Sequence, residues 1–355
     1  MQSKGTTNCF EGQNIYVGID AHLKNWKVTI LLERTSFKTF AQDANAAILG
    51  DYLRRNFPNA NYFSAYEAGF CGFSVHRELE KQGINNIVVN PADIPTTDKE
   101  RKQKEDKRDS RKIANSLRNG ELQGIYIPTI VGMEFRTLVR CRKTLVKEIN
   151  RNKTRIKSLL YFNGIQVPRE LDSASRHWSS RFTNWLNEVK FHSTFGNKSL
   201  DVLIDTTLYF RQKLLEITRE LRSISKSGPY STQTQLLCSI PGIGFITALT
   251  LLSEIENILR FKNLDTLCSF IGLVPSTNSS SDKEIIRGIT PRANKPLRSV
   301  IVEAAWMAVR NDPSLAIRFN DLCKRMKANK AIVRIAKNLL SRIRYVLKNE
   351  IEYAC

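Results

Sequence analysis

Two short runs near the start of the chain carry apolar residues at every second position: Ile15, Val17 and Ile19, then Val28, Ile30 and Leu32. Only an extended strand puts alternate side chains on one face, so the runs read as a hairpin, the first strand closing on Asp20. Residues 41–55 follow with helical spacing, Ala47, Ile48 and Leu53 turned inward. A third strand candidate, 61–69, ends near Glu67. Residues 72–83 read as a helix closed by Gly83, and 84–90 as a buried strand broken by Pro91. Strand hairpin, helix, strand, helix, strand and helix make an α/β layer.

The helix after Pro91 carries the chemistry. In residues 104–117, Asp106 and Asp109 stand three apart, followed by an apolar stripe of Ile113, Ala114 and Leu117. Positions i and i+3 share a helical face, so both carboxylates face one way. Lys and Arg outnumber Asp and Glu two to one between Lys99 and Lys112. Paired acids in a basic field suit a metal-dependent enzyme acting on a polyanion, the acids holding Mg²⁺ and the bases holding phosphates. A solvated charged helix with ordinary ion pairs is the competing reading. What favours the first is the company. Asp20 and Glu67 fall at strand ends of the same layer, and four such carboxylates can hold two Mg²⁺ ions about 4 Å apart for phosphodiester cleavage.

The charge balance points to the same kind of partner. Fifty-five Lys and Arg against 34 Asp and Glu give +21, which calls for a polyanion. No run of about 20 apolar residues is present to span a bilayer, so nucleic acid is favoured over a membrane. The first residues are polar and lack the apolar core of a signal peptide. Seven scattered cysteines with no Cys-x-x-Cys, and four separated histidines, predict reduced thiols in a cytosol and no zinc site.

From Glu134 the pattern changes. Leu138, Leu145, Ile149, Ile156 and Leu159 recur at heptad-like spacing, with Asn152 at an expected core position and Glu148 the only acid between Arg136 and Lys157. A connection over 167–198 leads to a second long helix over 200–224, so an antiparallel basic helical pair is expected. Residues 225–232 read as a linker. Pro241-Gly242-Ile243-Gly244 before an apolar run has the form of a helix–hairpin–helix turn, whose glycines let backbone N–H groups approach a phosphate; a plain turn between core helices is the alternative. A polar loop with serines at 276, 279, 280 and 281 then precedes Lys283, Arg287, Arg292 and Arg298, and a basic helical tail covers 324–348.

Taken in order, GIDAH, YEAG, DKRDSRKIA, the basic helical pair, IPGIGFITA and GLVP…SSS…ITPRANKPLR resemble the DEDD-type insertion-sequence transposases. More closely, they are similar to the insertion-sequence family one-ten, which includes pilin-gene invertases. The resemblance runs from about residue 15 to 309 and implies an α/β plus α architecture. A RuvC-like (RNase H-fold) domain over 14–130 would follow an arm at 1–13, with a coiled-coil pair over 131–228 and a transposase domain over 229–355. It implies Asp20, Glu67, Asp106 and Asp109 as Mg²⁺ ligands and Ser280, counted from Pro275, as a covalent nucleophile, with Ser279 the near alternative. It further implies a bridge RNA guide, donor and target DNA, and dimers that pair into tetramers in a prokaryotic cytosol. Candidate phosphate contacts are Lys104, Lys107, Arg108, Arg140, Lys147, Arg151, Arg155, Gly242, Gly244, Lys283, Arg287, Arg292 and Arg298. Two departures stand out: Ser281-Asp282 where the family has Gly-Gly, and Ala293 where it has a turn glycine. A structure-specific nuclease using water, or a nucleic-acid-binding scaffold without activity, are the rival readings.

Overall fold

The computed structural model describes residues 10–95, 106–173, 177–280, 283–290 and 293–354, without the side chains of 106–108, 276–280 and 283–288. Lys104 and Arg292 therefore lie outside the described residues, as do Ser281 and Asp282. The chain divides into two compact units, Met1–Ile127 and Pro128–Cys355.

In the first unit, β1 (Asn14–Ala21), β2 (Asn25–Leu31), β3 (Ser36–Asp43), β4 (Asn61–Glu67) and β5 (Asn85–Val89) form one sheet in the order β3-β2-β1-β4-β5. The first three are an antiparallel meander, and β4 and β5 run parallel to β1. Strand alternation divides the two faces. Ile15, Val17, Ile19, Val28, Ile30 and Tyr66 join Leu49, Leu53 and Leu79 of α1 (Ala46–Asn56) and α2 (Ser74–Lys81) in one core. The other face carries Gly18, Thr29, Ala65 and Val89, and receives α3 (Asp106–Arg118).

The sequence predicts a helix from residue 41, but Ser36–Asp43 is a strand. Its edge position explains the missing apolar alternation, because only one neighbour, β2, pairs with it. The helix starts where Asn45 caps it, its side chain accepting from the Ala47 N–H.

The second unit opens with α4 (Ile130–Phe162), 33 residues capped by Thr129, whose hydroxyl accepts from Gly132. It pairs with α6 (Thr194–Ser227), and α5 (Ser180–Glu188) joins them near the far end. The pair is antiparallel: Phe135 and Val139 meet Leu221, while Ile156 and Leu160 meet Leu200 and Ile204. Asn152 is buried among them, its carbonyl accepting from Arg155. The remaining helices are α7 (Ser231–Cys238), α8 (Phe245–Ile255), α9 (Leu264–Ile271), α10 (Lys295–Asn311), α11 (Pro313–Cys323) and α12 (Ala328–Asn349), which share one large core. Between α9 and α10, β6 (Pro275–Ser280) and β7 (Lys283–Ile289) form an antiparallel hairpin. The polar serine loop expected there is instead largely strand, with Ser280 paired to Lys283 at the hairpin's end.

Candidate functional site

β1 and β4 run parallel with a constant register that ends with Ile19 paired to Tyr66. One step further sets Asp20 beside Glu67. By alternation both belong to the face of Gly18 and Ala65, which α3 covers. The approach of α3 is close: a Cβ on Gly18 would stand 2.0 Å from the Ser110 carbonyl oxygen and 2.4 Å from the Ala114 nitrogen. Beside that contact the Ser110 and Thr29 hydroxyls are hydrogen-bonded at 2.9 Å.

The helix runs antiparallel to β1, since Ser110 and Ala114 lie over Gly18 while the Arg118 guanidinium donates to the Leu32 carbonyl, beyond the Tyr16–Leu31 pair. Asp106 is one turn before Ser110, roughly 6 Å along the helix axis. Two residues of strand cover about the same length, so position 106 comes level with Asp20. Asp109 is one turn before Ile113, which packs on Ala65, Val89 and Ile94, and so lies toward the β4 side. The fold thus brings positions 20, 67, 106 and 109 to one end of one sheet.

Among the described side chains, the carboxylates are not gathered into a closed cage. Asp20 is hydrogen-bonded to His22 Nε2 at 3.1 Å, a neighbour the sequence reading left without a role. Among the described residues no three acidic, histidine or cysteine side chains stand close enough to hold an ion; the side chain of Asp106 lies outside the description. The donor set is nonetheless all hard oxygen, which suits Mg²⁺ or Mn²⁺ rather than a soft metal.

In the second unit the candidate basic residues differ in what they already hold. Arg140 grips Glu254 with a two-point fork, Nε to Oε1 at 2.7 Å and Nη2 to Oε2 at 2.8 Å. Arg151 pairs with Glu148 one turn away, Arg155 donates to Asn152, and Lys147 is exposed. Arg298 donates to the carbonyls of Thr290 and Gly272, at the base of the β6–β7 hairpin. Gly242 has φ +91°, and a Cβ there would meet the Ala308 nitrogen at 2.6 Å and the Ala304 oxygen at 2.7 Å. Its glycine is required by close packing on α10. Gly244 stands at the N-terminus of α8 with open space around it, where backbone N–H groups can receive an anion. Of Lys107, Arg108, Lys283 and Arg287 only the backbone is described.

Glu254 is the centre of a network that sequence reasoning missed. It is almost fully buried and accepts from Arg140 and from Asn294 Nδ2 at 2.7 Å. Asn294 also caps α10 through Leu297, and its own N–H donates to Phe270. Arg136 donates to the Ser253 carbonyl, and Lys143 to that of Pro296. The start of α4, the end of α8 and the base of the serine hairpin are therefore tied through one carboxylate. A lone acid inside the apolar run 248–255 was the available signal, because a charge enters a core only with partners. Burial alone would raise the Glu254 carboxyl, but hydrogen bonds from Arg140 and Asn294 and the charges of Arg140 and Arg136 outweigh it and hold it below the ordinary glutamate range. A depressed folded value stabilises the protein above the ordinary glutamate range, and that contribution fades as pH falls through the folded value. Glu254→Ala, which leaves the half-exposed Arg140 and the Asn294 amide without their acceptor, is expected to cost about 1–3 kcal/mol in urea denaturation at neutral pH. Glu254→Gln should flatten the acid limb of the stability curve, and an unchanged limb would remove Glu254 as its source.

Comparison with known families now bears directly on the chain. A transposase model of the DEDD, IS110 type matches residues 17–163, and a second, described as the transposase IS116/IS110/IS902 family, matches 234–319. The chain belongs to this transposase family. The two matched stretches of the transposase include the four acids in the first and the PGIG turn, the serine hairpin and Arg298 in the second. Two similar proteins of Sinorhizobium fredii (strain NBRC 101917 / NGR234) are named as transposases. One, y4qE, is 27% identical over 69% of this chain and 58% of its own length. The other, y4rJ, is 28% identical over 92% of this chain and 90% of its own. The transposase for insertion sequence element IS1533 of Leptospira borgpetersenii is 24% identical over 83% of this chain and 85% of its own length.

Proposed function

We propose that the chain is an RNA-guided DNA recombinase that moves an insertion sequence by Mg²⁺-assisted attack of Ser280 on a phosphodiester. The reading rests above all on the convergence of four acidic positions at one end of a mixed sheet whose strand order suits a RuvC-like (RNase H) fold. Asp20, Glu67, Asp106 and Asp109 would hold the metal, two ions in the fullest version. Bound there, Mg²⁺ would supply Lewis-acid neutralisation of charge on the scissile phosphate.

The serine makes this a recombinase rather than a nuclease. Its oxygen forms a bond to phosphorus as the bond to a deoxyribose oxygen breaks, and that hydroxyl takes the proton. One phosphodiester replaces another, so rejoining needs no high-energy cofactor. The basic helical pair, the α8 N-terminus and the hairpin bases would hold backbones without reading sequence, which is left to pairing between a bridge RNA and donor and target DNA. Dimers pairing into tetramers would bring the exchanging strands together, on nucleoid DNA in the cytosol. Among the described residues no helix is long and apolar enough to cross a membrane.

Ser280→Ala is expected to lose the covalent protein–DNA adduct and recombination while still binding DNA and RNA, because a hydroxyl adds little to a charge-dominated interface. Adducts are counted on denaturing gels, with Ser279→Ala and Ser281→Ala in parallel and the attachment site mapped by mass spectrometry. Attachment to Ser279 would move the assignment by one residue. Mg²⁺-dependent nicking by the native protein with no adduct would make it a water-using nuclease.

A further inference from the structure

The acid end of the sheet carries a second feature. Leu23 is 78% exposed and Phe70 69% exposed, the two most exposed large apolar side chains described in the first unit; Phe37, Ile48 and Tyr126 are next at 45%, 43% and 37%. Single exposed apolar residues are ordinary on protein surfaces. Here the two most exposed fall on the two loops that leave the acids, each three residues beyond its carboxylate, Asp20 to Leu23 and Glu67 to Phe70. They repeat the strand register that sets Asp20 beside Glu67.

Neither loop is loose. Ala68 donates to the Val89 carbonyl and Gly72 to that of Gly69. The Tyr66 hydroxyl donates to the Gly72 carbonyl at 2.9 Å while accepting from the His76 N–H at 3.2 Å. Ala68, Cys71 and Phe73 pack inward on the core. Phe70 is the loop's one large apolar side chain left outside. In the other loop the His22 N–H donates to the Asn25 carbonyl and the Ala44 N–H to that of Lys24; residues 22–25 are all exposed, and Leu23 is the one large apolar side chain among them.

We infer that Phe70 stacks on a nucleobase taken out of its helix next to the phosphate held by the acids, with Leu23 as the apolar wedge that keeps the step open. This rests on the reading of the acid end as the catalytic site. Aromatic faces receive bases of any sequence, and apolar side chains inserted at a base step unstack it. The transposase family implies a DNA substrate, and the run Lys99 to Lys112 that contains Asp106 and Asp109 holds twice as many Lys and Arg as Asp and Glu, so a nucleic-acid strand is favoured at this end over a second copy. For a recombinase the device has a use: an unstacked step frees the strand end for exchange and holds the phosphate in a bent backbone.

The test uses the full-length protein with single-stranded and duplex oligonucleotides containing 2-aminopurine, in EDTA so that no strand is cut. Phe70→Ala is expected to weaken single-strand binding about 10-fold or more and to abolish the stacking quench. Phe70→Trp should retain both, and duplex affinity, set by phosphate contacts, should change little. Leu23→Ala should lower the permanganate reactivity of duplex thymines. Unchanged quench and affinity in Phe70→Ala would overturn the inference. A changed sedimentation coefficient with unchanged quench would also overturn it, in favour of a protein contact. Because the assay needs no metal, a retained quench effect combined with normal cleavage by Asp20→Ala would sink the catalytic reading while leaving the base-stacking residue in place.

Discussion

Replacing any one of Asp20, Glu67, Asp106 or Asp109 with Ala is expected to lower DNA cleavage by about a thousandfold or more, with the fold retained. Removing a ligand from a metal that stabilises developing charge takes several kcal/mol from the transition state, and each 1.36 kcal/mol is a factor of ten. Folding should barely register the change, because Glu67 is exposed and Asp20 and Asp109 are only half-buried. Cleavage rates in Mg²⁺ and circular dichroism together make the test. Near-normal rates in both Asp106→Ala and Asp109→Ala would show that α3 contributes no metal ligand. Loss confined to Asp20 and Glu67 would shrink the site to the sheet.

The second large effect comes from a residue with no functional group. Gly18→Ala puts a methyl where the Ser110 carbonyl and the Ala114 backbone already stand. Neither can yield as a flexible side chain would, so α3 must lift or the strand must bend. A cost of about 3 kcal/mol or more is expected, at the upper end for an overpacked core. Urea denaturation reads the cost, and hydrogen exchange along 106–118 should rise more than along β1. Gly244→Ala, whose added Cβ meets nothing within 4 Å, is the control and should change stability by only about 0.5 kcal/mol. Equal effects at the two glycines would mean that α3 does not depend on the close approach at Gly18.

The strands of the acid end were legible because their apolar residues alternate and end in carboxylates. Gly18 was legible too, though unread: a glycine inside a strand signals close backbone approach. β3 escaped because an edge strand with one pairing partner has little apolar pattern to show. The Ser276–Ser280 stretch looked like a loop because its polarity hides a strand's period, and the β6–β7 pairing appears only when both sides are seen. In α4 the heptad reading holds at Ile149, Asn152 and Ile156, which are buried, and slips toward the two ends. Phe135, Val139 and Leu160 are buried more deeply than the expected Leu138 and Leu159, because α8 joins α6 against the start of α4 and α5 joins α6 against its far end. Helical residues alone do not tell which neighbour lies where. The Glu254 network joins residues more than a hundred positions apart, and no local pattern announces such a contact.

That network also has a mechanical side. A helix of 33 residues is about 50 Å long. Its bonds to Ser253, Glu254 and Pro296 all fall between Arg136 and Lys143, near one end. Beyond them the helical pair is a beam clamped at its root. From Arg140 to Phe162 the arm is about 33 Å, so a tilt of about 5° at Arg140 would carry the far end through about 3 Å. Leverage works in both directions: whatever grips the tip near Phe162 pulls with long advantage on Glu254, and through Asn294 on the foot of the hairpin that ends in Ser280.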